Sequence, residues 1–427
     1  IYFFNSEKDP KKREKTINTI FLIELFISIT CALVVLGLTS PIANYYSNPS
    51  LIPLIAIVAF EPMIDNLFNL VSSLYIVQGK SFALAIKNAI TSLIKLAIVL
   101  VSIFVFRSVL CVLLFTLITN TAQLIIFWFW YMKIGFVINP FKIDPSKLKS
   151  IIVFAFSIFL IVITNALLKQ CDKLILGSLA SIEDIAIFEN ASKQLPFDII
   201  ASAVVTVSSP FISKFVLSGE TDKLQKLLKF YNTLCLTSLL VLGVPAVLSS
   251  GELMNFLYGS KYFEGKMIFI VYVIVEMVKF SNISIILITK DKKRELVLVS
   301  VGALICNVGL DRIMFQAFGP IGCAFATLTI TIFIQVYLLI RSSTLTKLKL
   351  SQILDLKYIA LLLVEVGALI GFSFVYRPLL DKITIGPSIL KAMLYYCIPF
   401  AVLLGCNIKP LLNAYRGLNS ITKNSEE

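Results

Sequence analysis

The chain has 427 residues, 58% of them hydrophobic and only 15% charged, with a mean hydropathy of +0.91. A soluble domain carries about a quarter of its residues as Asp, Glu, Lys and Arg, so a soluble enzyme is excluded, and the formal charge of +13 matters through its distribution among loops rather than as a nucleic-acid footprint. Histidine is absent, which removes the usual proton shuttle and metal ligand and leaves titration to carboxylates.

In chain order, the apolar runs are continuous and about 20 residues or longer, the length a helix needs to cross a bilayer. They do not alternate as barrel strands do. The fold class is therefore all-α, a polytopic membrane protein of about twelve transmembrane helices. These are expected at 17–39, 51–76, 84–106, 108–132, 150–170, 186–212, 227–249, 266–289, 296–316, 320–341, 357–376 and 390–408. With the N-terminal end set in the cytoplasm, 25 of the 38 Lys and Arg residues fall on cytoplasmic segments and 9 on outer ones. The positive-inside rule then makes both ends cytoplasmic. The other four, Lys87, Lys95, Lys193 and Lys279, fall inside expected spans. No loop exceeds about 20 residues, which leaves no extramembrane domain and puts the function among the helices.

Spans starting near 17, 51, 84 and 108 are spaced like those near 227, 266, 296 and 320, and Val77-Gln78-Gly79-Lys80-Ser81 corresponds to Thr289-Lys290-Asp291-Lys292-Lys293. Two spans, 150–170 and 186–212, precede the second set. The repeat predicts two more helices upstream of Ile1, in keeping with a chain that begins without Met and has lost its natural start; the alternative is coincidence among generic apolar helices. On this reading residues 1–135 form an N-terminal lobe lacking its first two helices and 136–149 a cytoplasmic linker. Residues 150–341 form a six-helix C-terminal lobe, and 342–427 an extra helix pair and tail.

The span expected at 150–170 runs into Leu167-Leu168-Lys169-Gln170-Cys171-Asp172-Lys173-Leu174-Ile175-Leu176-Gly177. An Asp and two Lys within five positions cannot rest against acyl tails, so they face water, a cavity or each other, or they snorkel at the interface. The eight cysteines are scattered singly and read as small apolar fillers.

Several segments together resemble the bacterial polysaccharide (O-antigen type) flippases of the multidrug/oligosaccharidyl-lipid/polysaccharide exporter superfamily. They are Cys171-Asp172-Lys173-Leu174-Ile175-Leu176-Gly177, Ile187-Phe188-Glu189-Asn190-Ala191-Ser192-Lys193, Phe256-Leu257-Tyr258-Gly259-Ser260-Lys261-Tyr262 and Gly319-Pro320-Ile321-Gly322-Cys323-Ala324-Phe325-Ala326-Thr327. The resemblance covers essentially the whole chain. Such flippases usually begin with two helices that this chain lacks, and they commonly carry a Pro early in the seventh helix, where this chain has Phe154-Ala155-Phe156-Ser157. The resemblance implies a sugar repeat unit on a polyprenyl diphosphate as substrate, with membrane lipids and polysaccharide polymerase machinery as partners and no nucleic acid. It implies no cofactor and no enzymatic step, and a place in the bacterial inner membrane.

An anionic diphosphate needs a wet, cation-lined path. Lys87 and Lys95 are eight apart and share a helix face, which suits a phosphate; with Lys193, Lys279, Asp172 and Lys173 they are the expected substrate path. Snorkelling is the alternative for Lys87. Glu61 and Asp65 are four apart, where both being ionised is unfavourable, so one is expected to hold a proton. With Glu189 and Glu276 they are the expected ion-coupling carboxylates. Glu189 with Lys193 and Glu276 with Lys279 also read as ion pairs neutralising charge inside the bundle, and Asp311-Arg312 as an interface pair near an outer helix end. Pro196, Pro210 and Pro245 permit kinks. The favoured function is a flippase working by alternating access. A multidrug or small-solute exporter should favour acidic and aromatic lumen residues over amines, and a membrane glycan polymerase should carry a large outer loop.

Overall fold

The computed structural model describes residues 10–77, 81–134, 142–193, 198–382 and 388–423, and no strand occurs among them. Among the described residues ten helices are long and apolar enough to cross a membrane. The all-α membrane fold expected from hydropathy is the one observed. The residues Gln78, Gly79, Lys80 and Pro196, residues 136–141 of the expected linker, and the side chains of Lys169 and Asp198 lie outside the described set.

The chain divides into two compact units, Ile1–Phe159 and Leu160–Glu427. In the first, α1 (Pro10–Gly37) leads through α2 (Thr39–Tyr45) to a span that runs as two helices, α3 (Leu51–Val58) and α4 (Glu61–Val77). The break at Ala59 and Phe60 follows from Pro62, which has no N–H to offer the carbonyl four residues earlier. Helix α5 (Ser81–Val101) widens into a π turn at Ser102–Phe106 and ends at Arg107, whose φ of 49° is left-handed; α6 (Val109–Ile134) then returns. Ile17 and Phe21 of α1, Leu67, Leu70 and Val71 of α4, and Phe127 of α6 form the core of this unit. Phe26, Phe104 and Ile118 face outward, as lipid-exposed residues of a membrane bundle do.

Helix α7 (Pro145–Leu179) starts on a built cap. Asp144 Oδ1 accepts from the Ser146 amide at 3.1 Å, Asp144 N donates to Thr19 Oγ1 at 2.9 Å, and Pro145 sits where a missing N–H costs nothing. The helix is unbroken through Phe154-Ala155-Phe156-Ser157.

In the second unit the span expected at 186–212 is corrected. Residues 182–191 form a separate short helix, α8 (Ile182–Ala191), and the apolar span is 201–218 of α9 (Asp198–Ser218). The physical reason is polarity: Ser181 caps α8 by accepting from Asp184 N at 3.1 Å, and Glu183, Asp184, Glu189 and Asn190 cannot lie along acyl chains. Helix α10 (Thr221–Leu248) is the most buried span. Leu227, Leu228, Tyr231 and Cys235 of α10 pack with Ile212 and Phe215 of α9. After α11 (Ser250–Tyr258), the span expected at 266–289 is broken into α12 (Lys266–Val278) and α13 (Ser284–Thr289). Exposed backbone in the break is satisfied by neighbours: Tyr231 Oη donates to Asn282 O and accepts from Asn282 N, and Gln335 Nε2 donates to Ser281 O at 2.8 Å.

Helices α14 (Lys293–Phe318) and α15 (Pro320–Thr346) form a tight hairpin. Gly319 turns it at φ +66°, and Gly322 permits its closeness, since a Cβ there would lie 2.1 Å from Met314 O. After a single turn, α16 (Leu350–Ile353), the C-terminal pair is α17 (Leu356–Lys382) and α18 (Ser388–Lys423), the last much longer than its expected 390–408.

Candidate functional site: a buried two-carboxylate cluster

In the second unit, four helices bring polar side chains to one dry point. Helix α7 supplies Cys171 and Asp172, α12 Tyr272, α14 Asn307 and Asp311, and α15 Thr327. Asn307 and Asp311 are four apart, so they share one face of α14. Asp172, Asn307 and Asp311 are all at most 1% exposed. Asp172 Oδ1 accepts from Asn307 Nδ2 at 3.1 Å and from Cys171 Sγ at 3.3 Å. Its Oδ2 accepts from Thr327 Oγ1 at 2.6 Å and from the Tyr272 hydroxyl. Asp311 Oδ2 accepts from the same Asn307 amide at 3.1 Å and from Cys171 Sγ at 3.6 Å. Asp311 Oδ1 and Asn307 Oδ1 have no hydrogen-bond partner. Among the described residues neither carboxyl has a cationic partner.

Two carboxylates this close in a low-dielectric interior cannot both stay ionised with nothing between them. They share a proton or hold a cation, and the oxygens of both carboxyls, the Asn307 amide and Thr327 are the donors a small cation uses. The Cys171 Sγ and the nearest carboxylate oxygens of Asp172 and Asp311 all lie within 4.8 Å of one another.

Sequence reasoning named Asp172 alone of this cluster. It took Asp311 with Arg312 for an interface pair; the structure corrects this, since Asp311 is fully buried against Cys171 and Asn307 while Arg312 is exposed. It took Cys171 for an apolar filler, which its contacts with both carboxyls overturn. The available signal was an Asn and an Asp at helical spacing in an otherwise apolar run.

The remaining candidates fall in several places. Lys173 pairs with Glu189 at 2.8 Å, so the expected partnership of Glu189 with Lys193 is corrected; Lys193 donates to Asn190 Oδ1 at 2.9 Å instead. The cause is the turn after Ala191, which ends α8 before Lys193 can reach back along a helix face. Lys279 donates to the buried Glu276 at 2.9 Å, at the break after α12. In the first unit, Lys87 Nζ stands 3.4 Å over the Phe68 ring and 6.0 Å from that of Phe127. Thr91, between Lys87 and Lys95 on the same face, donates to Gln123 Oε1 of α6 at 2.9 Å. Lys95 and Glu61 are half-buried and Asp65 is exposed.

Comparison with known proteins agrees with the all-α membrane fold. The profile of a family described as polysaccharide biosynthesis protein matches residues 7–266. Among solved structures, the chain is similar to the lipid II flippase MurJ in its inward-closed conformation, at 17% identity and a TM-score of 0.69, over 95% of this chain and 86% of that one. No curated protein matches the sequence.

Proposed function

This chain belongs to the polysaccharide biosynthesis protein family, and from that membership we propose that it flips lipid-linked, O-antigen-type oligosaccharide units across the bacterial inner membrane, with both described ends cytoplasmic. The movement is by alternating access and draws on an ion gradient. The observation that carries the coupling is the Asp172, Asn307 and Asp311 cluster, two buried carboxylates with no cationic partner that need a proton or a small cation. Lys87 and Lys95, on one face of α5, attract the substrate's diphosphate. Lys279 and Lys173 serve the path as paired charges, and Lys193 as an ammonium held by the neutral Asn190 amide. Glu61 and Asp65 remain coupling candidates in the first unit.

The test is flipping of a fluorescent polyprenyl-diphosphate oligosaccharide in proteoliposomes under imposed sodium or proton gradients. Asp311→Asn, which keeps size and removes the titrating group, is expected to leave the protein folded and to make the rate indifferent to either gradient. Gradient-driven flipping by this variant at the wild-type rate would remove the cluster from the mechanism.

A further inference from the structure

Beside the oxygens that a hard cation takes, the cluster offers a sulfur donor that such an ion does not use. We infer that Cys171, Asp172 and Asp311, with the Asn307 carbonyl oxygen, form a site for a thiophilic divalent transition metal, zinc above all. Zinc is bound at about 2.3 Å by sulfur and about 2.0–2.2 Å by carboxylate oxygen, which sets tetrahedral donor-to-donor edges of about 3.6 Å for sulfur to oxygen. Cys171 Sγ lies 3.3 Å from Asp172 Oδ1 and 3.6 Å from Asp311 Oδ2. Two edges of such a tetrahedron are therefore close to built, and the three donors are within 4.8 Å of one another. The fourth corner is reached by turning the Asn307 amide, whose Oδ1 is buried and has no partner.

Charge balance permits the exchange. With the thiol protonated and one proton shared by the carboxyls, the site carries one negative charge; when a divalent ion enters, the thiol proton and the shared proton both leave. The metal-bound site then holds a thiolate, two carboxylates and the ion, again one negative charge, so nothing is added to the buried account. The Tyr272 and Thr327 hydroxyls stay on Asp172 Oδ2 and orient that ligand, as outer partners of metal sites do. Because α7 and α14 contribute opposite sides, the ion ties them together; if the flippase reading holds, micromolar zinc arrests transport.

Cobalt(II) added to the purified full chain tests binding without any transport step, so its outcome is separate from that of the flippase reading. The expected result is one equivalent giving a thiolate-to-cobalt charge-transfer band and the visible bands of tetrahedral cobalt, all displaced by zinc. Cys171→Ser is expected to lose the charge-transfer band and to weaken binding at least tenfold, while Cys323→Ser keeps both. Asp311→Asn is expected to weaken binding with the band's position unchanged. A band that survives in Cys171→Ser, or a folded wild type that takes up no stoichiometric cobalt, overturns the assignment.

Discussion

Lys87 in the first unit and Asp172 in the second are both ionisable groups drawn in among helices, yet their surroundings differ in kind. Lys87 lies on aromatic faces, 3.4 Å from Phe68, and stays half-exposed. Asp172 is sealed, 1% exposed, and takes hydrogen bonds from four side chains on four helices. A ring quadrupole steadies an ammonium by about 0.5–2 kcal/mol without fixing its position closely. A set of directed donors fixes a carboxylate in place and leaves each donor dependent on it. The first arrangement suits a charge that must meet a passing ligand, the second a charge that must hold an ion within a fixed frame.

The largest effect expected from breaking this contrast is Asp172→Ala. It strips the acceptor from Tyr272 and Thr327 and one of two carboxyl acceptors from Asn307 and Cys171, and each orphaned buried polar group costs about 1–3 kcal/mol. Loss of several kcal/mol exceeds what a membrane bundle can spare, so the variant is expected to express poorly and to unfold well below the wild type in a thermal melt in detergent. Asp172→Asn keeps the shape and one acceptor oxygen, with its amide N–H donating to a hydroxyl of Thr327 or Tyr272, and is expected to stay folded while losing gradient response. If Asp172→Ala melts with the wild type, the cluster is looser than its hydrogen bonds imply.

An intermediate effect tests the other side. Lys87→Met keeps the stem against Phe68 and removes only the charge; it is expected to melt within about 1 kcal/mol of the wild type, the scale of an exposed cation–π contact. Flipping of the anionic lipid is expected to fall about tenfold, the cost of one phosphate contact of about 1.4 kcal/mol. Lys87→Arg should retain most of the rate. Unchanged flipping by Lys87→Met would make that amine a packing element.

The contrast also explains what the sequence made legible. Membrane helices, their order and most of their positions followed from apolar length, because lipid imposes one requirement on every span. Lys87 and Lys95 stood out because an ammonium in an apolar run is costly by itself. The carboxylate cluster did not, since it depends on α7, α12, α14 and α15 converging from positions 171, 272, 307–311 and 327. No spacing within one segment encodes such convergence. Asp311 was misjudged because Arg312 adjoins it in sequence, although neighbours on a helix point about 100° apart and do not face each other. The break after α12 was equally hidden, being stabilised by Tyr231 and Gln335 from other helices.

The smallest effect concerns how firmly the helix carrying Asp172 begins. Asp144 is half-exposed and outside the spans, and the Ser146 hydroxyl and amide that donate to it hold its carboxyl below the ordinary aspartate range. A depressed carboxylate contributes stability that is present above its unfolded-state value of about 3.9 and lost as pH falls through the lower folded value. Asp144→Ala removes both the cap and this titration, so it should melt slightly below the wild type at pH 7. That gap should persist through pH 5 and shrink only as the pH drops below about 4. Asp144→Asn keeps a capping oxygen but does not titrate, so its gap from Asp144→Ala should stay constant over the same range. A wild-type gap that closes between pH 7 and 5 instead would mean that some other group governs the start of α7, and that the frame holding Asp172 is anchored from within the unit rather than from its entry turn.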